Sequence, residues 1–533
     1  MQPLLANFRL ATRAGGYRRN PLYFLGFLAV FVFAAKELAD YVINDDMTGL
    51  AYVAIVLIVG TSVVAILNNW RSGVYFFLTW LLFEDFARKF LGNNIAIYFA
   101  KDFLLLIVYI AFLAAYRKKE VTVFRPPFWI PVLVFVWFGV MQIFNPGSTS
   151  IWYGLMGVKI FFYYMPLVFV GYALFDSERD LRRFFFINLA LATAIISLGI
   201  AQSVIGPTFL NPAHQADDLK LLSNLYRVSP ITGQVAYRPT STFVSAGRYA
   251  DFITVAWLLI LGFGGYLLLR QKKGRLLIIL AIAGTAAGAF LTSSRGVFMW
   301  TIINGIATSM AFIWGAPWRE GEALRAVRAV QRAAIGVAFG IVVLFFVFPD
   351  ALLSRLAVYR ETLDPSSSAS ELGNRAWDYP LQNFVAAFDS PQWPIGYGIG
   401  TTALGGQYVA RFFKAVPPTV GVESGFGTLV VEMGIGGLIL WLVMAFSIVF
   451  AGWKIVKKLR GSPLFPVGFV MFWYVFILLL PFAFAGIQAY EDFLLNAYLW
   501  LMLGILFRVP TIKLASLAPT DVSKMQIPSH GFR

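Results

Sequence analysis

Residues 276–315 read LLIILAIAGTAAGAFLTSSRGVFMWTIINGIATSMAFIWG. Only the turn Thr292-Ser293-Ser294-Arg295-Gly296 interrupts an otherwise apolar run. A hydrocarbon layer about 30 Å thick takes about 20 helical residues, so this stretch predicts two membrane-crossing helices joined by a turn that carries one arginine. The pattern recurs along the chain, which is 59% hydrophobic and 13% charged over 533 residues. Soluble domains are typically about 45–50% apolar and about 25% charged. Hydropathy predicts spans at 21–39, 49–67, 73–83, 99–116, 127–144, 157–175, 184–205, 248–269, 276–293, 296–314, 333–348, 424–452, 464–486 and 493–507. The third is short, ended by Glu84, Asp85, Arg88 and Lys89. The predicted fold class is all-α: a polytopic transmembrane helical bundle of about fourteen spans.

Charge orients the bundle. The net charge of +16 would suggest nucleic acid in a soluble domain, but the basic residues sit in short clusters between apolar runs, a topology signal that excludes that reading. Alternate connections carry Arg117-Lys118-Lys119, then Arg179, Arg182 and Arg183, then Arg270, Lys272, Lys273 and Arg275, then Lys454, Lys457, Lys458 and Arg460. Basic loops stay in the cytoplasm, so an even number of spans places both termini there. The chain divides into a basic N-terminus (1–20), a transmembrane domain (21–507) and a disordered cytoplasmic tail (508–533). Two exterior loops, about 206–247 and 349–423, are longer than connectors need. The second has helical periodicity around Asn374–Phe388, with Ala376, Trp377, Leu381, Phe384, Val385 and Phe388 near one face, which predicts amphipathic helices on the membrane surface. There is no cysteine and only His214 and His530, which excludes disulfides and thiolate sites and argues against a histidine-rich metal site. No cofactor or metal is expected.

Several arginines fall on the exterior side, where the orientation rule does not place them. Arg295 lies in its turn between two spans; Arg238 and Arg248 bracket the segment leading into the span at 248–269; Arg375 lies in the long loop. A guanidinium is a permanent cation whose planar fork of donors suits a phosphate or diphosphate. The ordinary alternatives are a snorkelling anchor for Arg248 and Arg295 and a solvated charge or ion pair for Arg238 and Arg375. Glu423, just before the span at 424–452, is placed to take a proton from a hydroxyl, or else simply to favour the following helix dipole. Glu432, inside that span, reads as a structural partner. The stretch Pro394-Ile395-Gly396-Tyr397-Gly398-Ile399-Gly400 lacks the strand and helix context of a nucleotide loop and reads as close backbone packing or a tight turn.

These elements together resemble the O-antigen ligase and polymerase family of bacterial envelope glycosyltransferases. The resemblance covers roughly residues 230–440. It is carried by Arg238-Pro-Thr-Ser-Thr-Phe-Val-Ser-Ala-Gly247 before a span, Thr292–Gly296, Asn374-Arg375 with Trp377 and the glycine turn 394–400, and Glu423 to Gly437 after the long loop. It implies transfer of a glycan from undecaprenyl diphosphate to a hydroxyl of an acceptor glycan lipid, on the periplasmic face of the bacterial inner membrane and without a nucleotide sugar. Arg238, Arg295, Arg375 and Arg248 would bind the diphosphate, Arg295 also stabilising its leaving charge, and Glu423 would position or deprotonate the acceptor. A chain-length regulator is a further candidate partner, beside membrane lipids. Ligases of this family typically carry a histidine where this chain has Glu423, which favours polymerisation over ligation to a lipid A core. A transporter of lipid-linked oligosaccharide is the rival from another class.

Overall fold

The computed structural model describes residues 47–212, 225–229, 233–270, 274–317, 349–364, 378–403, 406–416, 422–485 and 492–514, with isolated positions between them. The N-terminus, the expected span at 21–39, most of 333–348, His214, Arg375, Trp377 and the tail beyond 514 lie outside these residues. The chain divides into two compact units, Met1–Gly73 and Val74–Arg533. The first contains α1 (Met47–Asn68) and the start of α2 (Trp70–Leu91); all packing below lies within the second.

Helices occur at every other expected span. After α2 come α3 (Ile95–Arg117), α4 (Trp129–Met141), α5 (Ile151–Phe162), α6 (Leu167–Leu174) and α7 (Glu178–Ile205). A short antiparallel hairpin follows, β1 (Tyr226–Val228) and β2 (Val235–Tyr237), with Tyr226 opposite Tyr237. Then come α8 (Ala246–Arg270), α9 (Arg275–Leu291), α10 (Arg295–Gly315), α11 (Pro349–Leu363), α12 (Tyr379–Ala386) and α13 (Gly406–Phe413). The chain continues with α14 (Gly425–Leu459), α15 (Phe465–Leu479), α16 (Pro481–Phe484) and α17 (Phe493–Arg508). Among the described residues, 8 helical stretches are long and apolar enough to cross a membrane, and Ile58–Asn68, Trp129–Phe144 and Leu276–Leu291 are apolar but shorter.

The outer surface is apolar in stripes. On α3, Phe103, Leu106, Ile110 and Leu113 are 44% to 68% exposed; on α10, Ile302, Ile306, Met310 and Ile313 are exposed; on α14, Ile439, Val443, Phe446 and Phe450. Steps of three and four place each set on one helix face. Contiguous apolar faces of this kind belong against lipid, not water. α17 is instead buried on all sides from Leu494 to Phe507, the signature of a central helix. It crosses α6 backbone to backbone: a Cβ at Gly171 would strike the Leu501 carbonyl, and one at Gly504 the Val168 carbonyl. Small residues permit such contact, and dispersion then replaces the hydrophobic drive that lipid removes.

The bundle has two distinct ends. At one, Arg270 pairs with Glu178 at 2.9 Å, Arg508 donates to the Phe175 carbonyl, and the Gly461 amide donates to the Gly315 carbonyl. The other end gathers the C-terminal turns of α2, α7 and α9 with the N-terminal turns of α8, α10, α14 and α17, the hairpin and α11. The loop sets separated by charge in the sequence therefore lie at opposite ends.

Two expected boundaries change. The third span is no short helix: α2 runs through Glu84, Asp85, Arg88 and Lys89 to Leu91, because those charges find ion-pair or hydrogen-bond partners within the protein. The long loop also does not stay on the surface. At Gly434, where φ is +66°, α14 breaks, and the glycine turn fills the gap. The Ile435 amide donates to the Pro394 carbonyl, while Tyr397 and Gly398 donate to Val431 and Glu432. A straight helix would bond Ile435 to Val431; the inserted loop takes that bond's place, Pro394 accepting from Ile435 and Val431 from Tyr397. A Cβ at Gly400 would meet the Tyr153 carbonyl and Gly157, so this stretch is the close backbone packing read from its glycines.

Candidate functional site

Charged and aromatic side chains converge where the hairpin, α9, α10 and α11 meet. Arg355 of α11 is 1% exposed. Its Nε donates to the Leu291 carbonyl at 3.2 Å and its Nη2 to the Tyr237 carbonyl at 2.9 Å. Ser293, with a left-handed φ of 54°, donates from Oγ to the same Tyr237 carbonyl at 3.2 Å. One turn along α11, Tyr359 donates to the Phe290 carbonyl at 2.9 Å, and its ring lies 4.9 Å from that of Phe298. Phe298 is three residues after Arg295, on the same stretch of α10, and Arg295 is buried. Arg355, Arg227 and Arg238 all act electrostatically on the Tyr359 hydroxyl.

Arg238 follows β2 directly, its amide bonded to the Leu225 carbonyl at 2.8 Å. Its Nε is buried without a hydrogen-bond partner, and among the described residues Arg238 has no ion pair. Burial draws the Arg238 and Arg355 guanidinium groups below their ordinary range, yet an arginine so shifted remains a cation. Burial raises the Tyr359 hydroxyl, the neighbouring arginines opposing it, so it stays protonated as a donor. Fixed cations buried together suit an anion with several oxygens.

Behind this cluster lies a second, self-neutralising set of charges. Asp85 accepts from Arg88 at 3.0 Å and from Arg248 at 2.9 and 2.8 Å. Glu84 accepts from Lys101 at 2.9 Å, and Asp102 pairs with Lys159 at 2.7 Å. Asp492 lies 3.9 Å from Arg248, and Asp251 is within electrostatic range of both. Five acids, Glu84, Asp85, Asp102, Asp251 and Asp492, thus meet an equal number of cations when Lys89 is included. Arg248, expected beside Arg238 on the substrate, is turned to Asp85 instead, with its guanidinium carbon 4.4 Å from the centre of the Phe493 ring. Its guanidinium is held in this ion-pair set, and only the distant Asp85 could have revealed that.

Glu423 is exposed, directly before the Ser424 cap of α14. Its carboxylate accepts from the Tyr379 hydroxyl and its amide donates to Asn383, and among the described residues it has no ion pair. The link from Glu423 to the arginines runs through α16, where Ser424 donates to the Phe484 carbonyl and Phe482 packs on Trp300 of α10 at 4.4 Å. Both therefore sit at the same end of the bundle. Glu432 does not join them: it is fully buried and accepts from Gly400, Thr402 N and Thr402 Oγ1. Among the described residues, no cluster of three or more histidine or acidic side chains could hold a metal. Sequence reasoning missed Arg355 and Tyr359; an exterior arginine one turn before a tyrosine was the available signal. In comparisons with known proteins, no family model and no curated protein matches the chain.

Proposed function

We propose that the protein is a glycosyltransferase of the bacterial inner membrane, which moves a glycan from undecaprenyl diphosphate to the hydroxyl of an acceptor glycan lipid, as an O-antigen or exopolysaccharide polymerase does. The observation that carries the reading is the convergence of Arg238, Arg355 and Arg227 on Tyr359, at the bundle end opposite the basic loops, with buried Arg295 one turn before Phe298, whose ring packs on Tyr359. By the orientation rule that end faces the periplasm, where both substrates would lie with their lipid tails in the bilayer. On this reading the chain crosses the membrane about fourteen times, as its hydropathy predicts, with both termini cytoplasmic.

In the reaction the bond between the sugar anomeric carbon and the diphosphate oxygen breaks, and the acceptor oxygen takes its place on that carbon. The leaving diphosphate gains charge, and the arginines stabilise it in a site shielded from bulk water. By the resemblance, Arg375 belongs to the same set. Glu423, held by Tyr379, receives the acceptor proton. A ligase would run the same chemistry on a lipid A core, and Glu423 in place of histidine favours the polymerase. The cluster's place at one end of the bundle, away from its middle, weighs against the transporter reading.

Purified protein supplied with an undecaprenyl diphosphate oligosaccharide tests this. Longer glycan and released undecaprenyl diphosphate are expected without nucleotide. Movement of the lipid across the bilayer with no joining of sugars would establish the transporter reading instead.

A further inference from the structure

The segment Arg238–Ser245 runs through the protein interior. Thr240, Ser241 and Thr242 are fully buried, and Ser241 holds a left-handed φ of 50°, a conformation that a side chain with a Cβ keeps only when its surroundings enforce it. Two helices do so. Gln202 of α7 accepts through one oxygen from the amides of Thr240 and Ser241, at 2.8 and 2.7 Å. Lys89 of α2 donates to Thr240 Oγ1 at 2.8 Å, an oxygen that also accepts from Gln202 Nε2, and to the Ser241 carbonyl at 2.9 Å. Lys89 is 0% exposed. Alone among the cations of its charge set it makes no ion pair among the described residues, and both of its acceptors belong to this segment. An ammonium buried on neutral oxygens is a poor choice for packing alone, and its placement is explained by what the segment carries. Two residues upstream of Thr240 stands Arg238, and one further the Tyr237 carbonyl that receives Arg355 and Ser293.

We infer that Lys89 and Gln202 are positioning residues that clamp Thr240–Ser241, and so hold Arg238 and the Tyr237 carbonyl in register with Arg295 and Arg355. The inference rests on the reading of the arginine cluster as a lipid diphosphate site. Neither residue touches the substrate. Lys89 would raise donor affinity through Arg238 and leave the acceptor side, at Glu423, unchanged.

The test uses the full chain in lipid nanodiscs with undecaprenyl diphosphate as the probe, comparing wild type, Lys89→Met, Thr240→Val and the double variant. Thr240→Val removes one acceptor of Lys89 at nearly constant shape, so it carries the test if Lys89→Met fails to fold. Each single variant is expected to weaken binding about tenfold, the loss for one buried charged hydrogen bond. The double variant should lose less than the product of the two single losses, because both break the Lys89–Thr240 bond, although Thr240→Val also removes the Thr240 hydroxyl's bonds to Gln202 and Asn211. The acceptor KM should stay constant, and hydrogen exchange at the Thr240 and Ser241 amides should quicken. Wild-type affinity in both single variants, or losses that multiply in the double, would overturn the clamp. Wild type that does not bind the probe at all would overturn the diphosphate site itself, and the positioning role with it.

Discussion

Replacing Glu432 by glutamine should free the glycine turn from the bundle. The carboxylate receives three donors: Gly400 N at 2.9 Å on one oxygen, with Thr402 N at 2.9 Å and Thr402 Oγ1 at 2.7 Å on the other. Glutamine keeps a single acceptor oxygen, and its NH2 must then face an N–H or O–H that also donates. At a fully buried position each donor left unmade costs about 1–3 kcal/mol, so the substitution should weaken the local structure by about 2 kcal/mol. That corresponds to roughly 30-fold faster exchange if the turn opens as a unit. Hydrogen exchange read by mass spectrometry over residues 396–403 measures it, with the peptide covering α17 as a control that should not change. Unaltered protection of the turn in Glu432→Gln would refute the staple and, with it, the account of how the long loop is held in the break of α14.

Gly171→Val should abolish most folded protein, because its side chain would occupy the space of the Leu501 carbonyl; the yield of monodisperse protein in detergent reports this. Asp85→Asn removes the negative charge paired with Arg248 and Arg88 and one of its two acceptor oxygens, and should cost about 3 kcal/mol, the usual loss on breaking a buried pair from one side, seen as a lower thermal midpoint. Arg355→Lys keeps the charge but cannot span the Leu291 and Tyr237 carbonyls with one fork. It should raise the KM for lipid-linked donor about tenfold, one charged hydrogen bond's worth.

Much of the bundle was legible because lipid demands long apolar helices and basic loops mark alternate ends. The glycines at 396, 398 and 400 announced close backbone contact, and Glu432 inside a span announced a partner. What stayed hidden depends on contacts between distant positions. The charges of α2 read as the end of a helix, since nothing near them in the chain shows that Lys101, Arg248 and Thr240 will meet them. Arg355 binds backbone carbonyls, and a carbonyl has no signature in sequence. For the same reason Arg248 read as a substrate ligand until Asp85 was found in its grip.

The central claim is that the arginine cluster stabilises a departing lipid diphosphate. It is tested most directly by the rate at which undecaprenyl diphosphate is released from an undecaprenyl diphosphate oligosaccharide by equal amounts of folded wild type and Arg295→Ala. Release coupled to glycan extension is expected in the wild type, reduced at least about 100-fold in the variant, the scale of losing one transition-state donor. Equal release from the two proteins would contradict it.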